Sequence, residues 1–266
     1  MPDTQHPDAP ILLRRDAGGG VVWFTLNRPD SRNALSVKLM HALDTALAEA
    51  GADPEVRVVV LAGTGPAFCA GHDLREIRAH PGHDFTQGLF QQCSALMTRI
   101  VRLPKPVIAS VHATATAAGC QLVASCDLAV AASTAQFATP GVNIGLFCST
   151  PMVALTRNVA PKHAMDMLLT GDAITAARAH DIGLVNRVVA PEALLAETEA
   201  LARQIAGKSA RTIAIGKEAF YRQIDLPLDE AYRYAAAAMT RNMMARDAAE
   251  GIDAFLAKRV PVWTDS

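Results

Sequence analysis

The sequence predicts an α/β protein with a largely parallel sheet and a helical C-terminal region. Three observations predict it. Short β-branched runs alternate with helical patterns through the first two-thirds of the chain. Those runs are apolar on both faces, as in strands covered by helices on each side. Beyond about Lys162 the pattern is helical, apart from one run, Gly183–Ala190.

The elements follow in order. Val21–Asn27 ("VVWFTLN") is β-branched and aromatic and reads as a strand. "RPDSRNAL" is a loop, and Ser36 is placed to cap a helix from Val37 to Glu49. Val56–Gly63 is a second, buried strand, followed by the loop "TGPAFCAGHD" and a short helical start, "LREIRAH". "PGHD" interrupts before a helix from Phe85 to Arg102. Two prolines precede a third strand, "VIASVHA"; a helix follows Gly119, then the strand "DLAVAA". The C-terminal helices are amphipathic and rich in alanine and methionine, as suits packing against another surface. The expected organisation is a disordered arm over 1–10, a core over 11–200 and a helical region over 201–266.

Composition narrows the function classes. Half of the 266 residues are hydrophobic, which supports a sizeable core, and the formal net charge of −1 gives no field for nucleic acid. Five cysteines, with no C-x-x-C, argue against a disulfide framework or zinc site and for a reducing compartment; a cytoplasmic protein is expected. The most apolar stretch, Val107–Ala132, contains His112, Gln121 and Asp127, so no membrane span is expected. His80 and His83 form an H-x-x-H with no accompanying ligands, and no metal site is expected.

Two junctions share a design that chemistry could use: "AFCAGHDL" and "ATAAGCQL". In each, small residues allow close approach to the backbone, and a helix starts where the loop ends. The first N–H groups of a helix lack internal acceptors and lie at its positive end. Two such groups aimed at one point would stabilise a carbonyl oxygen as it gains negative charge. Tight packing alone would also explain either loop.

Taken together, in this order and spacing, the loops resemble the enoyl-CoA hydratase/isomerase (crotonase) superfamily. The resemblance extends to "LNRPDSRNAL", "KPVIASVHATATAAGCQLVASCDLAVAA", "AQFATPGVNIGL", "LLTGDAITAARAHDIGLVNRVV" and "EGIDAFLAKRVPVW", with "ATAAGCQLVASCD" and "GLFCSTP" marking one branch. It implies a spiral of ββα turns with a C-terminal helical oligomerisation region, a homotrimer or dimer of trimers, and an acyl-CoA thioester ligand, with no cofactor beyond CoA as part of the substrate. It implies that the main-chain N–H groups of His72 and Ala118 hold the thioester oxygen, Ala118 restricting φ and adding a methyl group where the family carries glycine. It implies that Ala70, Asp73 and Leu74 line the pocket and that Arg28 lies near the CoA phosphates. Phe255 and Lys258 would touch the CoA from a neighbouring subunit.

The family's two catalytic glutamates fall at Gln121 and Gly141. Neither residue can accept a proton near neutral pH. Ordinary hydration is therefore not expected, and the alternatives are a decarboxylase, a thioesterase or a non-catalytic acyl-CoA binder. "AGHD" and "PGVNIG" resemble the methylmalonyl-CoA decarboxylase-like branch, which has a tyrosine where Cys148 falls. His72 is the strongest titratable candidate, against a side chain that simply points away. Asn143, Cys148, Ser149 and Thr150 follow the second lost acid. Cys148 is a candidate nucleophile against an inert core thiol, and no G-x-S-x-G supports Ser149. His112, Asp127 and Asp172 read as structural.

Overall fold

The computed structural model describes residues 9–266; most of the expected N-terminal arm lies outside them. Among the described residues, ten strands form two sheets. The larger takes one strand from each turn of a spiral: β1 (Leu12–Asp16), β2 (Val21–Leu26), β3 (Val58–Gly63), β5 (Val107–Val111), β7 (Leu128–Ala132) and β10 (Arg187–Val189), in that spatial order. Within this sheet only the β1–β2 pair is antiparallel. The smaller sheet takes β4 (Ala67–Cys69), β6 (Thr114–Thr116), β8 (Gln136–Ala138) and β9 (Ile174–Thr175).

Each turn is thus a strand in the large sheet, a strand in the small sheet, then helix. β3 and β4 lead to α2 (Leu74–Ala79) and α3 (His83–Arg102); α1 (Val37–Ala52) precedes them. β5 and β6 lead to α4 (Ala118–Ser125), and β7 and β8 to α5 (Ser149–Leu155). Then come α6 (Pro161–Thr170), α7 (Ala176–Asp181), α8 (Leu194–Ala206), α9 (Ala210–Gln223), α10 (Leu228–Met243) and α11 (Arg246–Leu256).

The period-two geometry of a strand explains why the large sheet is apolar on both faces. Val22, Phe24 and Leu26 of β2 face the main core with Leu39, Leu43, Leu96 and Ile100 from α1 and α3. Val21 and Trp23 face the other way, with Val58, Val60 and Ile108, onto Leu194, Leu201 and Ala202 of α8. Ser36 caps α1 as expected, accepting from the Leu39 amide at 3.2 Å.

The last three helices are different: α9 buries no residue, and α10 buries only Ala238. Two polar clasps attach this arm. Lys217 of α9, its side chain 7% exposed, reaches the Asp127 carboxylate at 2.6 Å and the Ile100 and Lys105 carbonyls, while Tyr221 donates to the same carboxylate. Asp127, which read as structural, is therefore the socket for α9; it also accepts from the Val107 amide. The second clasp is the buried Asp247 of α11, whose carboxylate accepts from the Thr264 amide and hydroxyl and the Asp265 amide, folding the non-helical C-terminus back onto the arm.

Candidate functional site

The two glycine-bearing loops are held against each other by reciprocal close approach. A Cβ on Gly119 would lie 2.1 Å from the Cys69 carbonyl oxygen, at the end of β4. A Cβ on Gly71 would meet the Ala117 methyl at 2.9 Å, the Thr116 oxygen at 3.1 Å and the Ala118 nitrogen at 3.4 Å. Only glycine permits both contacts, and together they pin the start of α4 to the turn before α2.

Two main-chain donors lie beside this contact. Leu35 donates to the Gly71 oxygen at 2.7 Å and accepts from the Asp73 amide at 3.2 Å. In that parallel bridge the N–H of His72, the bridged residue, points away from Leu35. Ala118 is the first residue of α4, so its N–H has no intrahelical acceptor. Among the described residues, neither amide has a main-chain acceptor. All eight residues of α4 are buried, so its positive end lies in a poorly screened environment. A carbonyl oxygen placed between these donors would be polarised.

The conformational cost falls one residue earlier than the sequence suggests. Ala118 is helical, whereas Ala117 carries φ +50° and ψ −118°, a region that L side chains rarely adopt. The strained residue sits on the loop itself: its N–H donates to the Ala138 carbonyl at 2.9 Å, and its carbonyl accepts from Gln121.

Arg28 is held by protein groups on two sides. Its guanidinium donates to the Ala34 carbonyl and to Asp73 at 3.0 Å, tying the loop after β2 to the cap of α2. Asp73 caps α2 by accepting from the Arg75 and Glu76 amides. Burial alone would raise its carboxyl, but the Arg28 contact and the two amides outweigh that and hold its pKa below the usual value. Asp73 is thus a brace for the loop. The Ala70 N–H is already used by the Arg32 carbonyl, and Leu74 is half exposed beside the loop.

Gln121 is buried one turn into α4, and its Oε1 accepts from Cys93 of α3 at an S···O distance of 3.9 Å. Gly141 is filled in rather than empty: a Cβ there would lie 2.8 Å from the Leu146 oxygen and 2.9 Å from Cys148 Sγ. The chain from Leu146 to Cys148 occupies the space an acidic side chain would enter. Burial pushes the Cys148 thiol up, opposed only in part by the Gly141 main chain, which disfavours a thiolate nucleophile.

Three further positions lie apart from these loops, two of which, Phe255 and Lys258, are expected to act from a neighbouring subunit. Asn143 is exposed, its amide against Gly171 at the end of α6. Phe255 is 82% exposed at the end of α11 and lines a groove of about 550 Å³ with Lys208, Ile213 and Trp263. Lys258 follows it with φ +54°. Sequence reasoning missed Phe90 and Cys93, whose only signal was the amphipathic face of α3, and Thr139, buried just after β8.

A family model described as enoyl-CoA hydratase/isomerase matches residues 16–266. The chain belongs to the enoyl-CoA hydratase/isomerase family. The family member from Danio rerio named enoyl-CoA hydratase domain-containing protein 3, mitochondrial, is 46% identical over 259 residues, covering 97% of this chain and 90% of that protein. The crystal structure of the human protein of that name superposes with a TM-score of 0.92 at 44% identity, covering 96% of this chain and 100% of the other. That of an enoyl-CoA hydratase from Mycobacterium smegmatis gives a TM-score of 0.94 at 53% identity, covering 96% and 99%. The spiral expected from the sequence is therefore the fold of this family. Among the described residues, no helix is long and apolar enough to cross a membrane.

Proposed function

We propose that this family member binds an acyl-CoA thioester, polarises its carbonyl between the amides of His72 and Ala118, and does not hydrate enoyl thioesters by a two-carboxylate mechanism. The observation that supports the reading is the reciprocal glycine contact, Gly71 on Ala117–Ala118 and Gly119 on Cys69, which holds together the two loops that carry N–H groups without a main-chain acceptor. A carbonyl held there is activated for any step that builds charge on its oxygen. Hydration also needs a group to activate water and a proton delivered to C2. At the positions of the two acids stand a neutral carboxamide, Gln121, and Gly141, whose side-chain space is taken by Leu146 and Cys148.

The reactions that remain draw on enolate or tetrahedral-oxyanion stabilisation: decarboxylation of a carboxylated acyl-CoA, or thioester hydrolysis. A non-catalytic acyl-CoA binder would use the same donors. The exposed apolar residues of the arm, among them Tyr232, Met239, Phe255 and Leu256, support assembly with further copies of this chain as a trimer or dimer of trimers. In such an assembly Phe255 and Lys258 would serve a neighbour's CoA. The five free, buried cysteines suit a reducing compartment, and we place the protein in the cytoplasm.

Incubation with crotonyl-CoA, methylmalonyl-CoA and saturated acyl-CoAs, followed by mass spectrometry, tests the reading. Binding of CoA esters with little crotonyl-CoA hydration is expected. Failure to bind any CoA ester, or hydration at the rate of a two-glutamate enzyme, overturns it.

A further inference from the structure

We propose that Trp263, Thr264 and Asp265 are a strap that fixes α11 and so sets the position of Phe255 and Lys258. The strap itself is independent of the thioester-binding reading above; its effect on a ligand rests on that reading.

The first observation is that α11 stands beside a gap. Of its eleven residues only Asp247 and Ala254 are buried. Ala248, Gly251, Ile252 and Phe255 line the groove of about 550 Å³, which Thr212 and Ile213 line from α9. A helix this short is marginal alone, and helices in proteins take most of their stability from packing an apolar face. α11 turns part of that face to open space.

The second observation is that the segment after α11 ties it to two other parts of the fold. The chain turns at Lys258, and Glu250 of α11 accepts from Arg259 and, at 2.8 Å, from the Val262 amide. Trp263 lies on Gly251, where an added Cβ would meet its ring at 3.3 Å. Its indole N–H donates to the Gly207 carbonyl at 2.9 Å, in the link between α8 and α9. Thr264 and the Asp265 amide hold Asp247 of α11. The Asp265 carboxylate accepts from the Ala210 amide at 2.7 Å and from the Arg57 guanidinium at 3.0 Å. Three consecutive residues thus join α11 to the start of α9 and to the spiral.

The third observation is that the far end of the strap enters a prepared socket. Ala210 is the first residue of α9, so its N–H lacks an intrahelical acceptor and lies at the positive end of the helix, where a carboxylate is favoured. Arg57, just before β3, also donates to the Lys208 carbonyl at 2.8 Å. Its stem passes over Gly20, where an added Cβ would lie 2.6 Å from Arg57 Cγ. Glycine at that turn, with φ +77°, leaves the arginine free to reach the link between α8 and α9.

Phe255 and Lys258 lie at the end of α11. An exposed aromatic ring and a cation suit the adenine and the phosphates of CoA. A nucleotide that needs both finds them in place while the strap holds.

The test compares the whole chain with Asp265→Ala and with the double variant Trp263→Ala/Asp265→Ala. In hydrogen-exchange mass spectrometry the α11 amides of the double variant should exchange at least about tenfold faster, as the loss of a hydrogen bond to a charged group implies. Peptides from β3, β5 and β7 should exchange as in the wild type. Unchanged α11 exchange in the double variant overturns the strap. Equal acceleration in α11 and the spiral overturns it too, because it marks general destabilisation. Binding of butyryl-CoA and of S-butyryl-pantetheine, which lacks the nucleotide, tests the consequence. With α11 in place about a third of the time, the butyryl-CoA Kd rises about threefold, while that of S-butyryl-pantetheine stays at the wild-type value. Faster α11 exchange with an unchanged butyryl-CoA Kd overturns the positioning of Phe255 and Lys258. A wild type that binds neither ester overturns the thioester reading instead, and the exchange result still decides the strap.

Discussion

Gly119→Ala is the substitution that most directly loads the contact between the two loops. The added methyl would sit 2.1 Å from the Cys69 carbonyl oxygen, 2.8 Å from its carbon and 2.9 Å from the Cys69 Cβ. Two of these atoms are backbone, so no rotamer change relieves the clash. Reaching even a tight contact moves α4 away from β4 by about 1 Å, and a misplacement of that size typically costs about a hundredfold in a positioned reaction. Overpacking costs about 1–3 kcal/mol of stability. In a domain of this size that lowers Tm by roughly 2–12 °C, at about 2–4 °C per kcal/mol. The assay is the ultraviolet absorbance of bound acetoacetyl-CoA enolate, which reports donors aimed at the oxygen. The wild type should raise the enolate fraction, and the variant should lose most of that rise. Gly88→Ala is the control: it lies on an exposed face of α3 with nothing within 4 Å of an added Cβ, and should add about 0.5–1 kcal/mol of stability. A folded Gly119→Ala protein with wild-type enolate absorbance would refute the reasoning.

Further outcomes follow from the same contacts. Ala117→Gly should raise Tm, because glycine adopts φ +50° without the roughly 1–3 kcal/mol that such a backbone costs an alanine; an unchanged or lower Tm contradicts the assignment of strain. Gln121→Glu should fold, whereas Gly141→Glu should be markedly destabilised by its contacts with Leu146 and Cys148, as thermal melts of the two single variants will show. Lys217→Met leaves the partly buried Asp127 carboxylate without its cation and should lower stability by about 1–3 kcal/mol in urea denaturation. Burial would raise the Asp247 carboxyl, but hydrogen bonds from Ser209, Thr264 and Asp265 outweigh it and lower its pKa. The stability it contributes is therefore present above the ordinary aspartate value and lost as pH falls through the lowered one; Asp247→Asn should remove that stability at pH 7 and flatten the acid limb of a Tm–pH curve.

The large sheet was legible because Val21–Leu26, Val58–Gly63 and Val107–Val111 are short, β-branched and almost wholly apolar. β1 was not, since "LLRRD" is a half-exposed, charged edge strand. The small sheet hid inside apparent loops: β4, β6 and β8 are three residues each, too short for periodicity to show, and they form because neighbouring turns supply partners. Of the site, the two small-residue loops and the Asp73 cap could be read from residue type and spacing. The turn of Arg28 onto Asp73, the filling of the Gly141 space by Leu146 and Cys148, and the sealing of His72 under Phe90 could not. Each depends on segments distant in sequence meeting in space.

Isotope-edited infrared spectroscopy of butyryl-CoA labelled with carbon-13 at the thioester carbonyl bears most directly on the central idea. Two amides donating to that oxygen should shift its stretching band to lower frequency in the saturated complex, and Gly119→Ala should return the band toward its position in water. A band that stays at its free-solution frequency in a fully bound, folded protein would contradict the account.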